Sequence, residues 1–280
     1  MNSKLLAQLA VIFLVTQIIG LGTGYFLQQY FLAQPEQRPG IVSQNPEDSS
    51  NGIALIVWIL FSTALLLAAL KFMKGNLLDA LLKIFEALAI FGASWLVFSI
   101  VLGDPLGLIL AAALVFSKNI FSKSLFLRNV AGVFAAGGAG ALIGTAMGII
   151  PVVIFMALLS IYDYIAVFKT KHMVTLAKSI TKKNLAFTYA LPTEGHKFEL
   201  GTGDIVIPLV FAVSVLGESM KTIPYPAVFL PSIVVLAASL AGLLLTIDFV
   251  SRRVGTAVPA LPLQTAFMVT AFAIMKLLGL

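Results

Sequence analysis

The chain is 280 residues long with a formal charge of +6, and 60% of its residues are hydrophobic while only 11% are charged. Soluble domains hold about 45–50% apolar and about 25% charged residues, so this chain cannot cover a water-facing surface and reads as an all-α polytopic membrane protein. The absence of cysteine excludes disulfides, zinc–thiolate sites, iron–sulfur clusters and thiol catalysis, and 2 histidines leave little for a histidine metal cage. Nothing specifies a metal or organic cofactor. The net positive charge points to cytoplasmic loops and not to nucleic acid.

A spanning helix needs about 20 mostly apolar residues. Nine candidates follow in chain order: 5–32, 52–72, 77–102, 105–117, 130–148, 151–168, 201–217, 225–249 and 256–278. The first begins after Met1-Asn2-Ser3-Lys4; it is too long for a cleaved signal segment and lacks a clear small-residue cleavage site. The fourth is the shortest. Gly148-Ile149-Ile150-Pro151 reads as a tight turn between the fifth and sixth. The fifth carries Gly132, Ala136, Gly140, Gly144 and Gly148 at four-residue intervals, a small-residue stripe suited to close helix packing within the chain, with a homo-oligomer left open. The chain thus divides into residues 1–168 with spans one to six, a loop 169–200, and residues 201–280 with spans seven to nine.

Placed on alternating sides, all of the 18 basic residues except Arg38, Lys221 and Lys276 fall together. By the positive-inside rule the N-terminus is cytoplasmic and the C-terminus extracytoplasmic. Residues 33–51 are polar and acidic and read as a flexible extracytoplasmic loop. In the cytoplasmic loop, Phe187-Thr188-Tyr189-Ala190-Leu191 is β-prone enough to form an exposed strand.

An ionisable side chain inside a span is a functional candidate by default, because charge in hydrocarbon is costly. Asp79, Lys83 and Glu86, at i, i+4 and i+7 of span three, read as a mutually paired cluster near the cytoplasmic surface. Asp248, four residues before Arg252, reads as a helix-end pair. Asp163 differs, for no base lies within a helical turn of it. It sits five residues before Phe168, about 7–8 Å deep at the α-helical rise, and Asp204 is three residues past Gly201, about 5 Å deep. The two spans are consecutive and antiparallel, so both carboxyls come to similar depth on one side.

Two carboxyls held close cannot both ionise cheaply and share a proton. One can then act as base on a water while the other donates to a carbonyl oxygen, the chemistry of aspartic proteases. A proton- or ion-coupled transporter could use the same acids, although it would more comfortably show an inverted repeat, and none is visible. A channel needs a long polar lining that the continuous apolar spans do not supply. The backbone adds detail. Gly201-Thr202-Gly203 before Asp204 permits close backbone approach and unusual dihedrals. Pro208 cannot donate to the Asp204 carbonyl, which loosens the helix at that acid. Val258-Pro259-Ala260-Leu261-Pro262 disfavours regular helix at the start of span nine and leaves backbone groups to be met by protein, water or substrate.

Taken in order, Tyr162-Asp163, Gly201-Thr202-Gly203-Asp204 and Pro259-Ala260-Leu261 on spans six, seven and nine resemble the presenilin and signal-peptide-peptidase family of GxGD intramembrane aspartyl proteases. The resemblance covers essentially the whole chain. Its orientation favours the presenilin branch, since signal peptide peptidases are inverted, and its small size and short loops look like an archaeal homologue. The resemblance implies a nine-helix fold, Asp163 and Asp204 as catalytic dyad, Tyr162 beside the first acid, Gly201 and Gly203 shaping the second, and Pro259-Ala260-Leu261 bordering the site. It implies single-pass transmembrane proteins as substrates, cut in or near the bilayer. Neither acid lies in the Asp-Thr/Ser-Gly motif of soluble aspartic proteases, so the implied likeness to those is of chemistry and not of fold. The stretch 169–200 is much shorter than the self-cleaved loop of eukaryotic presenilins.

Overall fold

The computed structural model describes residues 3–73, 76–169, 185–192, 197–251 and 258–279. Within them the chain forms α1 (Ser3–Ala33), α2 (Ser49–Phe72), α3 (Asn76–Leu102), α4 (Asp104–Ile120), α5 (Leu125–Ala146), α6 (Ile149–Phe168), β1 (Thr188–Pro192), β2 (Lys197–Gly201), α7 (Gly203–Ser219), α8 (Leu230–Ser251) and α9 (Leu261–Leu277). Six of the helical segments are long and apolar enough to cross a membrane: α1, α2, α3, α5, α6 and the segment Ala227–Val250 that contains most of α8. Helices α4, α7 and α9 have 17 residues each. At the α-helical rise that is about 26 Å, a little under the roughly 30 Å of a bilayer's hydrocarbon core.

Local signals set the boundaries. Asp48 caps α2 by accepting the Ser50 N–H at 2.9 Å, a bond that also holds its carboxyl below the usual carboxylate range. Ser124 does the same for α5 through the Leu127 N–H. Gly103 lets the chain reverse between α3 and α4 in a single residue because its φ of 82° is open to glycine at little cost. The turn between α5 and α6 is shorter than the sequence suggests. Only Met147 and Gly148 intervene, and Pro151 sits inside the first turn of α6, where a missing N–H is harmless.

Two expectations for the loops are corrected. Residues 33–51 are not a loose segment, for they fold around the fully buried Asn51. Its side-chain oxygen accepts the Val42 and Ser43 N–H groups, and its amide donates to the Ser43 and Asn45 carbonyls. The strand expected near 187–191 exists, as β1 paired antiparallel with β2 in the register Tyr189 with Leu200, so the chain is not wholly α. It is also buried: Tyr189 and Ala190 are inaccessible and Leu191 is nearly so. Burial pushes the Tyr189 phenol above its usual pKa, and its hydroxyl donates to the Gly132 carbonyl at 3.0 Å. The loop 169–200 is otherwise described only at Lys169, 185–187 and β2, and the residues around Arg252 and Arg253 lie outside the described residues.

Helix α7 occupies the centre, packed by α1, α5, α6, α8 and α9. Ile205, Leu209, Val210, Phe211, Ala212 and Val213 are each fully enclosed. By contrast α2 turns Trp58, Phe61 and Leu65 outward, as a lipid-facing helix would. Helix α5 makes the close approach possible. A Cβ on Gly140 would lie 2.6 Å from the Leu209 side chain, and one on Gly144 would lie 2.6 Å from the Val210 carbonyl oxygen. The middle of the small-residue stripe therefore packs within the chain against α7, while Gly132 faces the Tyr189 ring of β1 and Gly148 faces the Glu47 side chain. A second glycine face, at Gly138, meets the Ala93 carbonyl of α3 at 2.1 Å by the same construction. Small residues allow such contacts where lipid offers no hydrophobic driving force for helix association.

The charged cluster of α3 also differs from its expected pairing. Glu86 is 1% exposed, so it faces inward and not toward Lys83 on the outer face of the same helix. Its partner is Lys118 of α4, and it also accepts the Ala186 N–H just before β1. The expected partner of Asp248, Arg252, lies outside the described residues.

Candidate active site

Asp163 is on the last turns of α6, five residues before its end, and Asp204 is the second residue of α7. Both are partly exposed, and Asp204 lies within electrostatic reach of Asp163. The elements that deliver them are fixed from several sides. Helix α6 is tied to α9 by the Ser160 hydroxyl donating to Thr265 Oγ1 at 2.9 Å, one helical turn before Asp163. The Asp163 carboxylate accepts the main-chain N–H of Leu261. That contact exists because Val258, Pro259 and Ala260 are not helical and α9 starts only at Leu261, which leaves first-turn N–H groups free to point outward.

Asp204 is delivered by the hairpin. Strand β2 ends at Gly201, and the Thr202 N–H and hydroxyl both donate to the Phe187 carbonyl at 3.1 Å. The hairpin in turn is pinned to α5. The Arg128 guanidinium donates to the Thr188 carbonyl and pairs with Glu199, joining both strands. Asn129 mimics a third strand at Ala190, donating to its carbonyl and accepting its N–H, both at 2.9 Å.

The glycines depart from one part of the expectation. Neither Gly201 nor Gly203 has a positive φ, so unusual dihedrals are not their contribution. A Cβ on Gly201 would meet only the Asp204 carboxylate, at 3.7 Å, and one on Gly203 would meet nothing within 4 Å. What they leave is open space beside the second acid. Pro259, Ala260 and Leu261 are buried at the other border. The structure thus brings Asp163, Asp204, Gly201 and Leu261 together. Tyr162 is half-buried and hydrogen-bonds with Thr63 of α2, which makes it a link to α2.

Two groups escape the sequence reading. Gln264, fully buried on the first turn of α9, donates from Nε2 to the Asp204 carbonyl at 3.1 Å. Gln17 of α1, 3% exposed, donates to the next carbonyl, that of Ile205, at 3.0 Å. The need for a donor was legible in Pro208. Its source was not, because Gln264 is 60 positions away and Gln17 is 188 positions from Ile205.

The family model for signal-peptide peptidase, presenilin aspartyl protease matches residues 10–278. Two solved structures of a presenilin family intramembrane aspartate protease are similar to the chain. One, in space group C222, is 20% identical over 94% of each chain with a TM-score of 0.64. The other, in space group P2, is 23% identical over 96% of each chain, also with a TM-score of 0.64. At those identities the likeness is one of fold. No curated protein matches.

Proposed function

The chain belongs to the signal-peptide peptidase and presenilin aspartyl protease family, and on that premise we propose that Asp163 and Asp204 are its catalytic dyad. The observation that carries the reading is the start of α9, which gives the Asp163 carboxylate a main-chain N–H from Leu261 while Asp204 lies within electrostatic reach. With one proton between them, the ionised carboxyl takes a proton from a water as its oxygen attacks the scissile carbonyl carbon. The protonated carboxyl gives its proton to the carbonyl oxygen, forming a neutral gem-diol. Collapse of the gem-diol breaks the C–N bond, with a proton returned to the leaving amine, and a free acid and a free amine depart.

The substrates are single-pass transmembrane helices, which must unwind locally before water can reach a peptide bond. The open space at Gly203 and the buried border at Pro259-Ala260-Leu261 suit an extended backbone lying between α7 and α9. The chain crosses the bilayer nine times, with its N-terminus cytoplasmic and its C-terminus extracytoplasmic, and water enters from the cytoplasmic side where both acids are shallow.

Purified protein in detergent, incubated with a synthetic single-span peptide, is expected to yield two new fragments by mass, and a transition-state-type aspartyl protease inhibitor is expected to suppress both. Absence of fragments, with proton-driven transport in liposomes instead, would replace the protease reading with the transporter one.

A further inference from the structure

We propose that Gln264 is a positioning residue for Asp204, supplying the hydrogen bond that Pro208 removes. The proposal rests on the dyad reading above. In a regular helix the carbonyl of residue 204 accepts the N–H of residue 208, but proline has none. The Asp204 carbonyl accepts instead from Gln264 Nε2 at 3.1 Å. The direction of this bond is fixed by chemistry, since a reversed amide would set its oxygen against another acceptor.

The cost of the arrangement argues for its purpose. Gln264 is fully buried, and its Oε1 has no hydrogen-bond partner among the described residues. Leucine would fill a similar volume without burying an unmet oxygen, so packing alone does not account for glutamine here. The backbone behind it is also held closely. A Cβ on Gly242 of α8 would lie 3.1 Å from the Gln264 Cα, so α8 and α9 approach closely where residue 242 is glycine. Gln17 of α1 supports the same stretch through the Ile205 carbonyl, and its Oε1 is likewise buried with no hydrogen-bond partner among the described residues.

The consequence concerns both acids. Leu261 and Gln264 stand three residues apart on the first turn of α9. The former binds the Asp163 carboxylate and the latter the Asp204 main chain. One rigid helical turn therefore sets where Asp204 begins relative to Asp163, while Pro208 leaves α7 free of its own internal bond at that carbonyl.

The test is a double-mutant cycle in full-length protein with the synthetic single-span peptide, kcat and KM being measured by product mass for the parent, Q264L, P208A and Q264L/P208A. Q264L is expected to lower kcat about 100-fold in the natural background, the scale of an ångström-level misplacement, with KM changed less than about threefold. In the P208A background the restored main-chain N–H meets the Asp204 carbonyl, and Q264L is expected to lower kcat less than about threefold. Equal losses in the two backgrounds, a loss confined to KM, or no loss would overturn the proposal. If Q264L alone does not fold, recovery of folding in P208A supports it and failure in both backgrounds overturns it. D204N in the same assay keeps the premise separate, since retained cleavage there would refute the dyad whatever the cycle returns.

Discussion

Asp163→Asn and Asp204→Asn are each expected to lower kcat by at least about 10⁴-fold, the upper range for a positioned acid or base, with the thermal unfolding midpoint unchanged or raised. Asparagine keeps the size of the side chain, and at 163 its Oδ1 can still accept the Leu261 N–H. What it cannot do is take a proton from water or hold one for the carbonyl oxygen. Removing a carboxyl from apolar surroundings costs the fold little, since the charged form is the expensive one there. Because the two acids act as a unit, the double variant is expected to be no slower than either single one. Product mass and thermal unfolding measured on the same preparations check this, and cleavage within about tenfold of the parent by either variant would exclude the assignment.

Arg128→Met is expected to lower stability by about 2–4 kcal/mol, with activity falling alongside. Breaking one side of a buried ion pair costs about 3–5 kcal/mol; the discount reflects Glu199, whose side chain is 16% exposed and retains some contact with water. Arg128 itself is 2% exposed and spends its fork on Thr188 and Glu199. Without it the Thr188 carbonyl loses the guanidinium and the Glu199 carboxylate is left with the Thr188 hydroxyl as its neutral donor. The loss reaches the site because β2 ends at Gly201, three residues before Asp204. Replacing both partners, as in Arg128→Met with Glu199→Leu, is expected to recover much of the stability, since no uncompensated charge is then left behind. Thermal unfolding of the two variants in one detergent checks this, and a double variant no more stable than Arg128→Met would contradict it.

The parts of this architecture that follow from local physics were legible in the sequence. Long apolar runs, the glycine stripe of α5 and the two acids within spans all announce themselves within a few residues. Prolines at 208, 259 and 262 marked where helices would be irregular. What stayed hidden depends on partners far away in sequence. Arg128 looks like one more cytoplasmic charge until the hairpin folds onto it 60 residues later. Glu86 appears matched to Lys83 by spacing, yet its burial selects Lys118 on the next helix. Asn51 gives no sign that a polar loop will wrap it. Gln264 and Gln17 are ordinary polar residues in apolar helices, and only the carbonyls they meet explain them. The unusual dihedrals expected at Gly201 and Gly203 failed for a related reason. Glycine signals either special dihedrals or empty space, and only coordinates separate the two.

The central claim is that Asp163 and Asp204 hydrolyse peptide bonds as one unit holding a single proton. The dependence of kcat/KM on pH, measured with the single-span peptide, addresses it most directly. A bell with one acidic and one basic limb is predicted, because activity is lost when the pair gains a second proton and again when it gives up its only one. A rate that is flat or changes in one direction across the range where the protein stays folded would contradict it.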